Sequence, residues 1–297
     1  MLIAFVAALL VAGHRLDGKL LAILAGAVVL VIAGAVDDKR QPTQRELGAA
    51  PQLAVQLLAA SIAVLAGVTI LDVRDPTAGG PFGGVIALPL WAGALLSLFW
   101  IAGMVNTVNF LDGLDGLAAG VAAIAAAILA FVSLKLGQPD LAILALALAG
   151  AAAGFLPHNL HPARIFMGTS GAWFLGFMLA TLAIVGGAKI ASALLVIGVP
   201  VFDVALLILL RLLARQPIWR GDRRHLHHRL LDTGLGPRAT VLLYYCLSAA
   251  FGLYALAFTN NRSVGLGLKI YGLLILVGVM AAILVLLRRR QQSQPTI

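Results

Sequence analysis

Charged side chains are scarce in this sequence: Asp, Glu, Lys and Arg make up 11% of its 297 residues, against about a quarter in a soluble domain. That scarcity excludes a water-soluble globular chain. Cysteine is rarer still, with Cys246 alone and inside an apolar run, which excludes an intrachain disulfide framework. No Cys accompanies the histidines and no His-Glu-x-x-His pattern occurs, so zinc lacks its usual ligand set. The first apolar run, 2–13, has neither a basic leading region nor a small-residue cleavage site. It therefore reads as a clipped membrane helix rather than a signal peptide.

What fills the space is apolar. Hydrophobic residues reach 61% and the mean hydropathy is +1.02. Ten apolar runs follow one another at 2–13, 19–36, 50–71, 85–105, 117–136, 140–156, 172–186, 190–212, 239–259 and 267–287, most of them near the roughly 20 residues that cross a bilayer. The expected architecture is an all-α polytopic integral membrane protein of about ten transmembrane helices, a single domain over 1–297 with a cytoplasmic basic and His-rich loop at 213–238. With the N-terminus cytoplasmic, fourteen of the 21 Lys and Arg residues fall inside, among them Lys39, Arg40, Arg45, Arg164, Arg211, Arg229 and Arg238, as the positive-inside rule asks. The net charge of +9 thus lies beside spans, where anionic headgroups and anionic substrates are fitter partners than nucleic acid.

Against this background one stretch stands out. Asn106, Asn109, Asp112 and Asp115 recur at three-residue steps, with Gly113 and Gly116 directly after the two acids. Three-residue steps on a helix or tight turn keep side chains near one face, so the four could converge on one ligand. Oxygen donors without Cys or spaced His suit a hard cation such as Mg2+, which usually brings phosphate with it. Helix packing through Gly and Asn is the competing account. It leaves Asp112 and Asp115 unexplained, because an ionisable group at membrane depth costs about 2.5 to 3.5 kcal/mol on insertion scales.

Other polar groups are fewer. Asp37 and Asp38 are adjacent carboxylates at a span end followed by Lys39 and Arg40, a pair that gains from a bound cation or proton. In the loop 157–171, Thr169 and Ser170 either supply N–H groups to a phosphate or cap the next helix, and Phe166 either stacks on a flat ring or anchors the interface. His158 and His161 read simply as polar loop residues. Pro200 is expected to break the eighth span beside Asp203, whose bland alternative is a salt bridge to Arg211. Asp222, Arg223, Arg224, His225, His227, His228 and Arg229 suggest a cationic, hydrogen-bonding anion pocket. From Thr240 onward the spans look purely structural.

In combination these residues resemble the polyprenyl-phosphate N-acetylhexosamine-1-phosphate transferases, the superfamily that includes phospho-MurNAc-pentapeptide transferase. The resemblance runs from about residue 20 to about 240 through Asp37-Asp38, the Asn106 to Leu117 block, Asn159 with Pro162 and Phe166-Met167-Gly168, Gly198-x-Pro200-x-x-Asp203, and Asp222-Arg223-x-His225-x-His227-His228. The last motif resembles the N-acetylglucosamine branch. The resemblance implies transfer of a sugar 1-phosphate from a UDP-sugar to undecaprenyl or decaprenyl phosphate, with release of UMP, at the cytoplasmic face of the inner (plasma) membrane. It implies catalytic roles for Asp37, Asp38, Asp112 and Asp115, with Mg2+ (or Mn2+) held by Asp112 and Asp115. Substrate contacts fall to Asn106, Asn109, Asn159, Phe166, Asp203, His225, His227, His228 and Arg229, and a homodimer is compatible with it.

Two departures from the family pattern bear on activity. Thr169 stands where the family carries the carboxylate that ordinarily binds Mg2+, and a hydroxyl is a poorer cation ligand. The family's first span and the cytoplasmic loop after it, which carries Arg, His and a Gly pair, are expected to be missing before Met1. The alternative reading is therefore an impaired or inactive member that binds lipid phosphate or nucleotide sugar. A third, an ion-coupled transporter, would show acids in paired halves, and the sequence shows no such pairing.

Overall fold

A computed structural model describes residues 1–40, 47–74, 85–187, 190–215, 225–259, 270 and 272–282. Arg45, the turn-rich 75–84 loop, Asp222 to Arg224 and the Arg288 to Arg290 stop lie outside the described residues. The helices in chain order are α1 Leu2–Val11, α2 Gly18–Arg40, α3 Ala49–Leu65, α4 Leu90–Leu111, α5 Leu117–Lys135, α6 Pro139–Asn159, α7 Gly168–Val185, α8 Ile190–Val196, α9 Gly198–Leu213, α10 Leu226–Asp232 and α11 Pro237–Ala257. A further apolar helix, α12, covers Gly272–Ala282. A short antiparallel pair, β1 Asp72–Arg74 and β2 Val85–Ala87, sets Asp72 opposite Ala87.

The chain is a polytopic all-α membrane protein, but the expected ten spans resolve differently. Among the described residues six helices, α2, α4, α5, α6, α7 and α11, are long and apolar enough to cross a bilayer. The α8 and α9 pair makes a seventh if its 86° bend is one broken span, whereas α1, α3 and α12 are shorter apolar helices. The third run stops at Leu65 because Gly67 turns the chain at φ +88, and 85–87 is strand rather than the start of the fourth span. The break expected at Pro200 falls at Ile197 instead. Pro200 then occupies the first turn of α9, where its missing N–H has no helical partner to lose.

α7 is the core helix. Trp173, Phe174, Phe177 and Met178 are fully buried, and α7 lies between α2 and α4. Close approach is set by glycine: a side chain at Gly26 would meet Phe177, one at Gly34 the Ser170 backbone, and one at Gly176 the Val105 backbone. In lipid, where apolar burial offers helices little mutual attraction, such backbone proximity supplies the packing. Trp100 Nε1 on α4 donates to Ala180 O on α7 at 3.1 Å, adding one interhelical hydrogen bond to that seam.

These contacts bring the C-terminal end of α2, the N-terminal end of α7 and the turn between α4 and α5 together. α2 ends on Asp37-Asp38-Lys39-Arg40. The two cations complement the negative end of the helix macrodipole. The two acids oppose it, so they require donors from elsewhere in the fold.

Candidate active site

Those donors are present. Asp37, 2% exposed, accepts the Leu47 N–H at 2.7 Å, Gln52 Nε2 at 3.4 Å and the Thr169 hydroxyl at 3.2 Å. Asp38 accepts the N–H groups of Thr169 at 2.7 Å and Ser170 at 3.2 Å. The first N–H groups of α7 are therefore capped by a carboxylate from α2. Gly168, at φ +66, passes so close to the Asp38 carboxylate that a Cβ there would overlap it.

The Asn106 to Asp115 block does not act as one face. α4 ends at Leu111, Asp112 leaves the helix with ψ 40, and Gly116 takes the left-handed conformation, so the three-residue periodicity lapses after Asn109. Asn106 is committed to packing: its amide exchanges hydrogen bonds with Gln56 of α3 at 2.6 and 3.4 Å and donates to Ala102 O. Asn109 and Asp112 have side chains with no hydrogen-bond partner among the described residues. Asp115 Oδ2 accepts from His161 Nδ1 at 2.9 Å and from the Ala163 N–H at 3.1 Å.

Asp112 is the acid left open to a ligand. Burial pushes its pKa up to about 7, and the negative charges of Asp38 and Asp115 add to the rise. The same charges that hold a proton on Asp112 would favour a cation beside it. Among the described residues no three His, Cys, Asp or Glu side chains are gathered as a metal cage. Mg2+ generally keeps several waters and takes one or two carboxylates plus substrate phosphates, and a single open carboxylate flanked by two more fits that donor set.

The histidines close the site from another direction. Asp203, 7% exposed, accepts from His225 Nδ1 and from the Leu226 N–H, both at 2.9 Å. It orients His225 and caps α10. Phe110, His225 and His227 stack in sequence with centroids 5.5 and 5.7 Å apart, and His228 tilts against His227 at 4.3 Å. His227 Nε2 is buried without a partner among the described residues and lies against Gly113, where a side chain would strike it. Burial first, then His228 and His225, push the His227 pKa down to about 3. Within the stretch expected to be cationic, the His227 imidazole is thus neutral. Arg229 and His228 flank it on α10.

The remaining candidates divide the same way. Phe166 is 77% exposed, two residues before Gly168, with its ring open to a ligand. Asn159 is buried, taking the Gly116 N–H at 3.1 Å and donating to Ile165 O at 3.0 Å, so it joins α5 to the 160–167 loop. Sequence reasoning missed Gln52, Gln56, Phe110 and Tyr245. It passed over His161, and it read α11 as structural although Tyr245 OH donates to Gly116 O at 2.5 Å and Arg238 to His161 O at 3.2 Å.

Comparison with known proteins places the chain among relatives. The chain is 33% identical over 281 residues to a probable undecaprenyl-phosphate N-acetylglucosaminyl 1-phosphate transferase of Bacillus subtilis (strain 168), covering 92% of this chain and 75% of that one. It is 36% identical over 295 residues to a decaprenyl-phosphate N-acetylglucosaminephosphotransferase of Mycobacterium leprae, covering 90% and 71%. A putative phospho-N-acetylmuramoyl-pentapeptide-transferase of Methanothermobacter thermautotrophicus matches at 37% over 216 residues, 72% of this chain and 56% of that one. The model of glycosyl transferase family 4 matches residues 20–187, which span α2 to α7 and with them every carboxylate of the site except Asp203. The chain belongs to glycosyl transferase family 4.

Proposed function

We propose that this protein transfers N-acetylhexosamine 1-phosphate, N-acetylglucosamine 1-phosphate in the first instance, from a UDP-sugar to undecaprenyl or decaprenyl phosphate and so begins a cell-envelope glycan. The observation that carries the reading is the open Asp112 carboxylate, set among Asp38, Asp115 and the His227 imidazole. A lipid-phosphate oxygen bonds to the phosphorus that bears the sugar, the bridging P–O bond breaks, and UMP leaves with that oxygen. Both reactants are anions, so catalysis rests on positioning and on neutralising charge at the transferred phosphoryl group.

The chain's residues divide that work. Asp112, with Asp115 beside it, would hold Mg2+ (Mn2+ as a substitute), which supplies charge neutralisation at phosphate oxygens. His225 is fixed by Asp203, while the buried Nε2 of His227 is a neutral hydrogen-bonding atom against Gly113 of the turn. Exposed Phe166 offers its ring face to the uracil. Asp37 and Asp38 hold the α2, α7 and Leu47 backbones together at the place where the lipid phosphate would enter. The basic residues Lys39, Arg40, Arg164, Arg229 and Arg238 lie at this end of the helices, and that charge placement supports a cytoplasmic site in the inner membrane.

The test is transfer of radiolabel from UDP-N-acetylglucosamine to undecaprenyl phosphate by the purified protein in detergent. Labelled lipid together with stoichiometric UMP supports the reading; no labelled lipid with any UDP-N-acetylhexosamine at millimolar Mg2+ ends it.

A further inference from the structure

We propose that Tyr245 of α11 is a positioning residue for Asp115, acting through the Gly116 carbonyl, and that Gly120 is bare in order to admit it. α11 lies beyond the segment that the family model matches, and its sequence reads as an ordinary apolar span. Its phenol nevertheless reaches the site turn 129 residues away.

The peptide groups on both sides of Gly116 are claimed by different elements. Its N–H goes to Asn159 Oδ1 on α6. Its carbonyl accepts the first helical hydrogen bond of α5 from the Gly120 N–H at 3.0 Å and, on its second lone pair, the Tyr245 hydroxyl at 2.5 Å. Gly116 itself sits at φ 80, ψ −12, a left-handed conformation that only glycine adopts without strain. The residue just before it is Asp115. One oxygen of that carboxylate, Oδ2, is taken by His161 and Ala163, and Oδ1 accepts no donor among the described residues. The direction of that free oxygen is therefore set by His161 on one side and by the pinned backbone of Gly116 on the other.

Gly120 is the second half of the observation. A Cβ at that position would overlap the Tyr245 phenol ring and hydroxyl. The phenol thus fills a notch left by a missing side chain one turn into α5. Two positions far apart in sequence serve a single contact. Where water is excluded, a hydroxyl bonded to a carbonyl has no competitor for its proton, and small displacements of a ligand-facing carboxylate weigh heavily on rate.

The claim that this positioning serves turnover rests on the transfer reading above; the claim that Tyr245 holds the turn does not. The experiment uses the full-length protein in detergent with Tyr245→Phe, Gly120→Ala, their combination, and Cys246→Ser as a neighbour on the exposed face of the same helix. Two quantities are measured: amide hydrogen exchange over residues 112–118 without substrate, and kcat and KM for each substrate. We expect each single variant to speed amide exchange over that segment by about threefold or more and to lower kcat/KM for the UDP-sugar by about three- to tenfold, the range one hydrogen bond allows. KM for polyprenyl phosphate stays unchanged, the double variant is no worse than the worse single, and Cys246→Ser matches the parent. Unchanged amide exchange over 112–118 in both singles overturns the inference whether or not the parent protein is active. Multiplying losses in the double variant, or an equal loss for both substrates, also overturns it. A parent protein that exchanges amides as expected but transfers no sugar phosphate defeats the transfer reading and leaves the holding role of Tyr245 standing.

Discussion

Asp38, in the last turn of α2, accepts the backbone N–H of Thr169 at the start of α7 at 2.7 Å, across 131 positions of sequence. One helix thereby ends on the beginning of another, and the side chain of Thr169 turns to Asp37 of the same pair. The two acids are organisers of the site's floor as much as candidates for its chemistry.

Asp38→Ala should therefore lose both transfer and stability. It strips acceptors from two N–H groups at the head of α7, and hydrogen bonds to charged groups contribute about 1.5 to 3 kcal/mol. Thermal unfolding in detergent should shift down by several degrees, and Asp38→Asn, which keeps one acceptor oxygen, should fall between it and the parent. An unshifted melting temperature in Asp38→Ala would contradict the structural role.

Asp112→Asn should behave differently. Its carboxylate has no hydrogen-bond partner among the described residues, and burial already disfavours its charge, so removing the charge leaves nothing unpaired. Transfer should drop by about a hundredfold or more, as for loss of an electrostatic group in a water-poor site, with no loss of thermal stability. A variant that melts early while keeping its turnover would assign Asp112 to packing.

Thr169→Asp would add a third carboxylate beside Asp37 and Asp38. Like charges that close disfavour ionisation and favour a cation. The variant should melt earlier than the parent in chelator, recover on addition of Mg2+, and bind Mn2+ more tightly in a direct titration. Mg2+-supported turnover should rise if a missing ligand limits the rate. Unchanged Mn2+ affinity would mean that another group already serves there.

Acidification separates two buried groups of opposite sign. His227 titrates near 3 in the fold against 6.5 ordinarily, so the unfolded chain binds the extra proton first. Its contribution to stability is whole above about 6.5 and is lost as pH falls toward 3. Asp112 titrates near 7 against 3.8, so the folded chain holds the extra proton and its contribution is whole below about 3.8 and lost as pH rises through 7. Between about 4 and 6.5 the two oppose each other. In chelator, Asp112→Asn should lose stability from pH 6.5 to 4.5 more steeply than the parent, and His227→Gln should gain it over the same interval. Parallel curves for all three proteins would refute both assignments.

Much of this site could be read from the residues alone, and for a physical reason. An acid in an apolar chain is costly, so Asp37, Asp38, Asp112, Asp115 and Asp203 announced themselves. What they do was less legible. Asn106 and Asn159 looked like ligand groups, and each already bonds a protein partner, Gln56 in one case and Gly116 with Ile165 in the other. No local pattern marks a partner 50 or 43 residues away. His161 and Tyr245 were invisible for the converse reason: an imidazole in a loop and a phenol near a span end are ordinary at membrane interfaces, and only the fold shows which backbone they meet. The bend at Ile197 had its marker, Pro200, displaced by three residues because proline fits the start of a helix as readily as it ends one.

Gly34 has a bearing on how this site can vary. With no side chain there, the reach of the neighbouring carboxylates to α7 is fixed by two main chains in contact rather than by a rotamer. A methyl group at position 34 would strike the Ser170 backbone, and no repacking of side chains could absorb it. One added carbon at that position would change the gauge between the two helices, and with it the distance from the Asp38 carboxylate to the N–H groups it accepts.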